Sequence, residues 1–409
     1  MPTWPLPQHR RVCTAVEKHP IRLEKLKHVC LKNFVTFFPL LSDRMDLISD
    51  DEEQYGKNVD GISMGINKLT TVTSTSSDGA TVEIYLLGAT VMSYKTPTGQ
   101  EVLAKSSEAV YDWDGKVPIR GGIPIVRLDK VKRKVRSASR LCLPPPPLLP
   151  FLQCFPQFAA QGPLPMHGFA RTSFWCIVEA VPGRIVLTLT DDENNKTKEI
   201  WPHAFALLYT VKFDARHMTT SLRISNPASA AEPFAFEVVL HTYLSLGFGN
   251  VTPAGSKARI TGLKGLTCIA KPSTGYEAPR LEAAESLMLG GEIDRIFTPL
   301  AAPIVVSNIT SEPRDKGANR FSTITVAATA NVRRHDGPKL GATAAPLDVI
   351  VWNPGAGRSK TITDLGDDDW RNFVCVEPGR CSTFTADFPA HKALQPGEEW
   401  TITQTISLS

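Results

Sequence analysis

From about Asn67 onward the chain keeps returning to one pattern, short runs in which apolar and polar residues alternate. Thr81-Val82-Glu83-Ile84-Tyr85-Leu86 is an example, and residues 184–189, 220–225 and 400–406 repeat it. Successive side chains of an extended strand point to opposite faces, so a period of two predicts strands with one buried face. Three further runs, residues 206–213, 234–246 and 322–328, lack clear alternation and read as strands buried on both faces. Asp78-Gly79, Pro97-Thr98-Gly99 and Asn226-Pro227 supply turn chemistry between such runs. No long segment carries the 3.6-residue period of an amphipathic helix, so the pattern predicts an all-β fold.

The length of 409 residues suffices for one large β domain or two smaller ones, and either buries an ample core. Hydrophobic and charged contents of 42% and 21% are those of an ordinary globule. No apolar run approaches the ~20 residues that span a bilayer. The near-apolar stretch 33–41 is followed by no small-residue cleavage pattern, which predicts a cytoplasmic protein without signal peptide or anchor. Eight scattered cysteines include no CxxC pair, which argues against both a zinc site and a disulfide framework. Sequons at Asn195, Asn250 and Asn308 read as chance without a secretory route. The net charge of +4 conceals a basic segment, residues 127–140, which alone carries +6 and leaves the remainder at −2. A basic balance confined to one short segment gives no case for nucleic-acid binding.

Residues 1–60 show no sustained period and are expected to form a poorly ordered extension, with a weak helical tendency near 21–32. Residues 61–409 then form the β domain. It is interrupted at 127–153 by a basic and then proline-rich piece, where Pro144 to Pro147 are consecutive. Prolines cannot donate to a ladder, so this piece predicts an exposed loop.

Several residues stand out chemically. Val349-Ile350-Val351 run into Trp352, break at Asn353-Pro354-Gly355, cross an acidic turn at Asp367 to Asp369, and re-enter an apolar run at Phe373 to Val376. Glu377 closes that run ahead of Pro378-Gly379. A carboxylate at the end of a buried strand is costly to desolvate unless it is used or paired. Desolvation favours its protonated form and a nearby cation the charged one, and a group so balanced suits a general base. His241 lies inside the apolar FEVVLHTYLSLG, where a histidine is more often a satisfied core group than a catalyst. Arg120 precedes Gly121-Gly122, which permit a tight turn and presentation of the guanidinium to a ligand. Arg171 ends His167-Gly168-Phe169-Ala170-Arg171, and a surface arginine there is as plausible as an anion-binding one. Asp294 in GEIDRIF reads equally as a ligand contact or as a loop carboxylate paired with Arg295. His203, His217, His335 and His391 have weaker cases. The acidic triplet lacks the alternate spacing of a calcium loop and reads as a turn cap.

Taken together, RGGIP, HGFAR, LHTYL and the block ending VCVEPG resemble the hexose-6-phosphate mutarotases, relatives of the aldose 1-epimerases. The glucose-6-phosphate 1-epimerase branch is the nearest match, and the resemblance runs from about Asn67 to the C-terminus. It implies the large two-sheet β-sandwich of the galactose mutarotase type. The implied activity is interconversion of α and β hexose 6-phosphates by ring opening and closure, with no metal or other cofactor. On the same resemblance Glu377 is the base, His241 the acid, Arg120 and Arg171 hold the phosphate, Asp294 holds sugar hydroxyls and His167 steadies the pocket. The implied partner is a small-molecule hexose 6-phosphate, with no nucleic acid or membrane, bound by a monomer. This chain departs from the family pattern in two respects. Met166 stands where relatives commonly have glutamine, and a thioether cannot replace an amide towards a sugar hydroxyl. In relatives the RGGIP strand runs directly into a Phe-Pro-Gln-Phe type sequence, found here only at Phe155-Pro156-Gln157-Phe158, so 127–153 is an insertion. A catalytically weak sugar-phosphate binder, an epimerase for unphosphorylated sugars and a scaffold docking partners through Pro144–Pro147 remain alternatives.

Overall fold

The computed structural model describes residues 61–112, 117–125, 155, 168–191, 197–270, 277–310, 321–334, 341–381 and 393–409. The N-terminal extension, with the helical tendency expected at 21–32, lies outside these residues, as do the insertion and His167. Among the described residues, strands pair antiparallel throughout, which gives the expected all-β fold.

Among the described residues the larger sheet has nine strands, built around the long antiparallel pair Ile324–Arg334 and Glu398–Leu408, which are distant in sequence. His217–Ser225, Ala206–Phe213, Arg184–Thr190 and Cys176–Val181 extend it on one side. Period-two sequence becomes one-sided burial here: Met218, Thr220, Leu222 and Ile224 are buried, while the intervening residues are partly exposed. Two runs expected to be buried on both faces instead alternate. In Ala206–Phe213 the inward set is Leu207, Tyr209, Val211 and Phe213, and the apolar Ala206 and Leu208 on the outer face hid the period. Ile324–Arg334 likewise alternates over its first half, with Ile324 and Val326 inward and Thr325 and Ala327 outside.

The smaller sheet of the sandwich has seven strands. Its central order is Thr242–Ser245, Phe373–Arg380, Asp348–Asn353, Ile293–Thr298 and Thr267–Ala270. Here the continuous apolar runs are buried on both faces, as expected. Val349, Val351, Phe297, Val374 and Val376 face inward and join Leu207, Tyr209, Ile224 and Ile402 in the main core. The opposite set, Tyr243, Ile296, Ile350, Trp352, Phe373 and Cys375, forms a second cluster capped by Ile362 and Leu365. A four-stranded sheet spanning Ile62 to Lys95 lies before these in sequence.

Two expectations about strand ends need correction. The run at 234–246 is two short strands, Val238–Val239 and Thr242–Ser245, on one partner. The Phe373–Arg380 strand does not stop at Glu377 but continues through Pro378-Gly379. Proline removes a donor only: the Pro378 carbonyl still accepts from the Leu240 N–H at 3.0 Å, and Gly379 pairs with both Asp348 and Val239.

The insertion is bounded by core residues. Ile125 and Phe155 are both buried, and the Phe155 ring sits edge-on to Phe169, Trp201 and Phe205 at 5.5–6.0 Å. The acidic triplet caps a turn: an Asp369 carboxylate oxygen accepts from the N–H groups of Gly366 and Ser107 at 2.9 and 2.8 Å. Asn250 is buried, and its side-chain amide donates to the carbonyls of Leu246 and Asn308, consistent with a chance sequon. His217 opens a strand beside Asp214 rather than lying in a turn. The four described cysteines are free thiols. No helix among the described residues is long and apolar enough to cross a membrane.

The Gly121-Gly122 pair does what its sequence suggested. Both adopt positive φ, 116° and 67°, and a Cβ on Gly122 would stand 2.1 Å from the Val91 carbonyl oxygen. Gly122→Ala should therefore destabilise by about 2 kcal/mol or more, through strain plus the backbone clash. Gly99→Ala, also at positive φ but with nothing within 4 Å of its Cβ, should cost distinctly less. Thermal unfolding of the two variants checks this, and equal losses would remove close packing as the reason for the pair.

Candidate active site

The site lies on the outer face of the seven-stranded sheet, and strand register assembles it. Thr242 pairs with Val376 and Tyr243 with Cys375, while Val239 pairs with Gly379. Both short strands thus share one alignment on the Phe373–Arg380 strand, which sets His241 opposite Glu377. Side chains opposite one another in an antiparallel pair share a face. Accordingly His241 Nε2 lies 3.3 Å from Glu377 Oε1, and both side chains are almost wholly buried, at 1% and 3% exposure. The other edge of this segment is held as well. The Tyr243 N–H donates to the Gly122 carbonyl at 2.9 Å, and the His241 N–H to that of Pro124 at 3.2 Å.

Aromatic rings fix the imidazole plane. Tyr243 stacks on His241 with centroids 4.7 Å apart and planes 12° from parallel, and Trp352 meets the imidazole edge-on at 5.8 Å. Cys375, two residues before Glu377, therefore lies on the same face of its strand. One donor atom from each of His241, Cys375 and Glu377 lies within 4.8 Å of the other two. Burial pushes the Cys375 thiol well above its ordinary range, and the negative charge of Glu377 adds to the shift.

Arg120 is brought to this group through Tyr243. Its guanidinium donates to the Tyr243 hydroxyl at 3.3 Å and to an Asp364 carboxylate oxygen at 2.8 Å. The pair with Asp364 is buried on both sides, so the two charges offset each other's desolvation. Asp364 comes from the loop after the short helix Gly355–Ser359. That loop is pinned by Asn353, whose amide donates to the carbonyls of Trp370 and Phe373 at 2.9 and 2.8 Å.

Asp294 is a strand residue on the same face, paired in register with Trp352 and buried. The alternative of an ion pair with Arg295 does not hold, because neighbours along a strand point to opposite faces. Arg295 instead meets Glu282 at 3.5 Å, and Asp294 meets Arg358 at 3.5 Å. Arg358 also contacts Glu292. Arg171 is buried in the 3-10 turn Ala170–Thr172, separated along the chain from the His241–Glu377 group.

Four contributors were not singled out from sequence. Tyr243 could have been found, since it lies two residues after His241 and must share its face. Trp352 is legible in the same way once the Asp348–Asn353 strand is aligned. Asp364 and Arg358 reach the site from a loop and a five-residue helix, where no period marks which side chains turn inward.

Comparison with known proteins agrees with this fold. The sequence profile of the aldose 1-epimerase family matches residues 152–407. A protein of Cenchrus ciliaris named "Putative glucose-6-phosphate 1-epimerase" is 28% identical over 78% of this chain and 78% of its own. One of Escherichia coli K12 with the same name is 26% identical over 75% of this chain and 83% of its own. Among solved structures, a Salmonella typhimurium protein described as "a putative mutarotase (YeaD)" superimposes with a TM-score of 0.57 at 24% identity, covering 83% of this chain and 90% of that one. A galactose mutarotase-like protein from Lactobacillus casei gives 0.52 at 14% identity, covering 83% of this chain and 100% of that one. At these identities the structures speak to the fold alone, and both are mutarotase-like. With a family match across more than half of its length, the chain belongs to the aldose 1-epimerase family, whose members are isomerases acting on small-molecule sugars.

Proposed function

We propose that this protein is a glucose-6-phosphate 1-epimerase, with Glu377 and His241 as its base and acid. The observation that carries the proposal is the 3.3 Å approach of a buried imidazole and a buried carboxylate that face each other in register. Anomer exchange moves one proton off the C1 hydroxyl and another onto the ring oxygen. Those two oxygens are bonded to the same carbon, so the acid and the base must be neighbours rather than flank the ring from opposite sides. His241 and Glu377 stand side by side in this sense.

In the forward step Glu377 takes the proton of the C1 hydroxyl as the C1–O5 bond breaks, and the His241 imidazolium gives its proton to O5. The products are the open aldehyde, a protonated Glu377 and a neutral His241. Rotation about C1–C2 turns the other carbonyl face toward O5. On closure O5 attacks C1, His241 recovers its proton and Glu377 returns its own to O1. The pair is neutral overall before and after each transfer, so no net charge has to be created in a buried site. Tyr243 and Trp352 hold the imidazole in one plane, and such orientation supplies part of the acceleration. Asp294, on the same face, suits sugar hydroxyls, with Arg358 3.5 Å from its carboxylate.

The phosphate is assigned to Arg171 and Arg120, with His167 steadying the pocket. Names of the relatives support a phosphorylated substrate. A specific observation favours a second reading, an epimerase for unphosphorylated sugars. Asp364 already offsets the charge of Arg120, which leaves that guanidinium less able to hold a phosphate than a bare one. Arg171 decides between the two readings. Arg171→Ala should raise KM for glucose 6-phosphate ~10-fold or more through loss of charge-assisted hydrogen bonds, while leaving KM for free glucose nearly unchanged. Coupled-enzyme kinetics on the two sugars checks this, and equal effects on both would assign the phosphate elsewhere.

The chemistry has its own test. Glu377→Gln should lower anomer exchange by ~10²–10⁴-fold with little change in unfolding temperature, because the side-chain volumes nearly match. Magnetisation transfer between the two anomers of glucose 6-phosphate reads the rate directly, and exchange at the wild-type rate would remove Glu377 as the base.

A further inference from the structure

The His241–Glu377 pair has a third donor beside it that the epimerase chemistry does not use. Cys375 lies two residues from Glu377 on the same strand face, and its sulfur, a His241 ring nitrogen and a Glu377 carboxylate oxygen all lie within 4.8 Å of one another. All three side chains are buried, and Trp352 and Tyr243 keep the imidazole from turning away. A tetrahedral zinc ion with bonds of ~2.0–2.3 Å needs its donors about 3.4–3.7 Å apart. The His241–Glu377 separation of 3.3 Å is close to that spacing, and the sulfur lies within 4.8 Å of both partners' donor atoms, so only a small inward adjustment separates the cluster from a metal site.

We infer that His241, Cys375 and Glu377 form an inhibitory site for a thiophilic divalent cation, Zn²⁺, which occupies both proton-transfer groups and shuts off epimerisation. The donor set selects the ion. One nitrogen, one sulfur and one carboxylate oxygen suit zinc, whereas calcium and magnesium demand six or more oxygens or a nearly regular octahedron of them. Three protein donors leave the fourth position to water. Binding displaces both the thiol proton and the imidazolium proton to the buffer, so it is accompanied by release of two protons. The ion is an inhibitor because the imidazole nitrogen and carboxylate oxygen that bind it are the atoms that carry protons to and from the sugar. This last clause rests on the assignment of His241 and Glu377 above; the site itself does not.

Two measurements on the full-length chain test the inference. Titration with Co²⁺, a spectroscopic substitute for zinc, should produce a thiolate-to-metal charge-transfer band that Zn²⁺ abolishes. Cys375→Ser should lose that band and Cys176→Ser should keep it. Absence of the band in the wild-type protein, or its survival in Cys375→Ser, would overturn the site. Should Cys375→Ser fail to fold, Glu377→Gln serves in its place, and an unchanged Co²⁺ affinity in that variant would overturn the site equally. In metal-free buffer Cys375→Ser should exchange anomers at the wild-type rate and tolerate ~10-fold or more extra Zn²⁺ before inhibition. A protein that binds Co²⁺ through Cys375 yet exchanges no anomers of glucose 6-phosphate would refute the proposed substrate and leave the metal site standing.

Discussion

One strand register carries the site. The segment Val238–Ser245 lies along Phe373–Arg380 without a slip, although two residues between its halves, Leu240 and His241, fall outside regular strand. The Leu240 N–H still reaches the Pro378 carbonyl, so the alignment is continuous through the break. Side chains alternate between faces, so displacement of either segment by a single residue would turn its polar side chain, His241 or Glu377, into the sandwich interior and bring Thr242 or Val376 out in its place. That alternative is opposed from both sides. Val374 and Val376 are packed into the main core, and Thr242 donates a buried hydrogen bond to Gln404 of the nine-stranded sheet at 3.0 Å. The apolar face and a single inter-sheet hydrogen bond thereby hold the polar face in position.

The outer face must bury several ionised groups without leaving any of them unmatched. Arg120 is set against Asp364, Arg358 against Glu292 and Asp294, and His241 against Glu377. Arg380 follows the same rule on the inner face: it stacks 4.3 Å over the Phe236 ring, with the carboxylates of Glu237 and Asp348 countering its desolvation. Burial nonetheless lowers it to about 10. Such pairs contribute little net stability, because desolvation consumes most of their attraction, but loss of one partner strands the other. Their effect is to fix where charge sits before any sugar arrives. This is what a reaction with balanced proton transfers requires.

The sequence made the all-β fold legible because burial on one face imposes a period of two, which shows wherever the outer face is polar. It failed at Ala206–Phe213 for a simple reason: Ala206 and Leu208 are apolar although they face outward. The strand containing Glu377 misled differently. Pro378-Gly379 looks like a stop, but antiparallel pairing needs the carbonyl of Pro378 as much as an N–H, and the strand passes through. His241 and Glu377 were legible as polar residues out of place in apolar runs, but that setting alone favoured a core role for His241, and only the family resemblance paired the two. Their contact was not legible, since 136 positions separate them and no local pattern encodes which strands become neighbours. Asp364 and Arg358 were invisible for a related reason, because a loop and a five-residue helix are too irregular or too short to show a period from which to predict an inward-facing side chain.

The demand that makes the pair chemically useful also makes it vulnerable. In the proposed mechanism two oxygens on one carbon call for an acid and a base near each other, and an imidazole and a carboxylate in direct contact, as here, are two of the three protein donors of an open zinc site. A third donor decides which behaviour dominates. An apolar residue at position 375 would leave the pair to protons alone, whereas a thiol on the same face adds the ligand for which zinc has high affinity. Burial keeps that thiol protonated and unreactive toward ordinary electrophiles, so its presence need not interfere with turnover. It acts only when a metal ion supplies enough binding energy to displace the proton. Strand geometry thus couples the two proposals: any residue two positions from Glu377 on this strand shares its face and stands beside the His241–Glu377 pair.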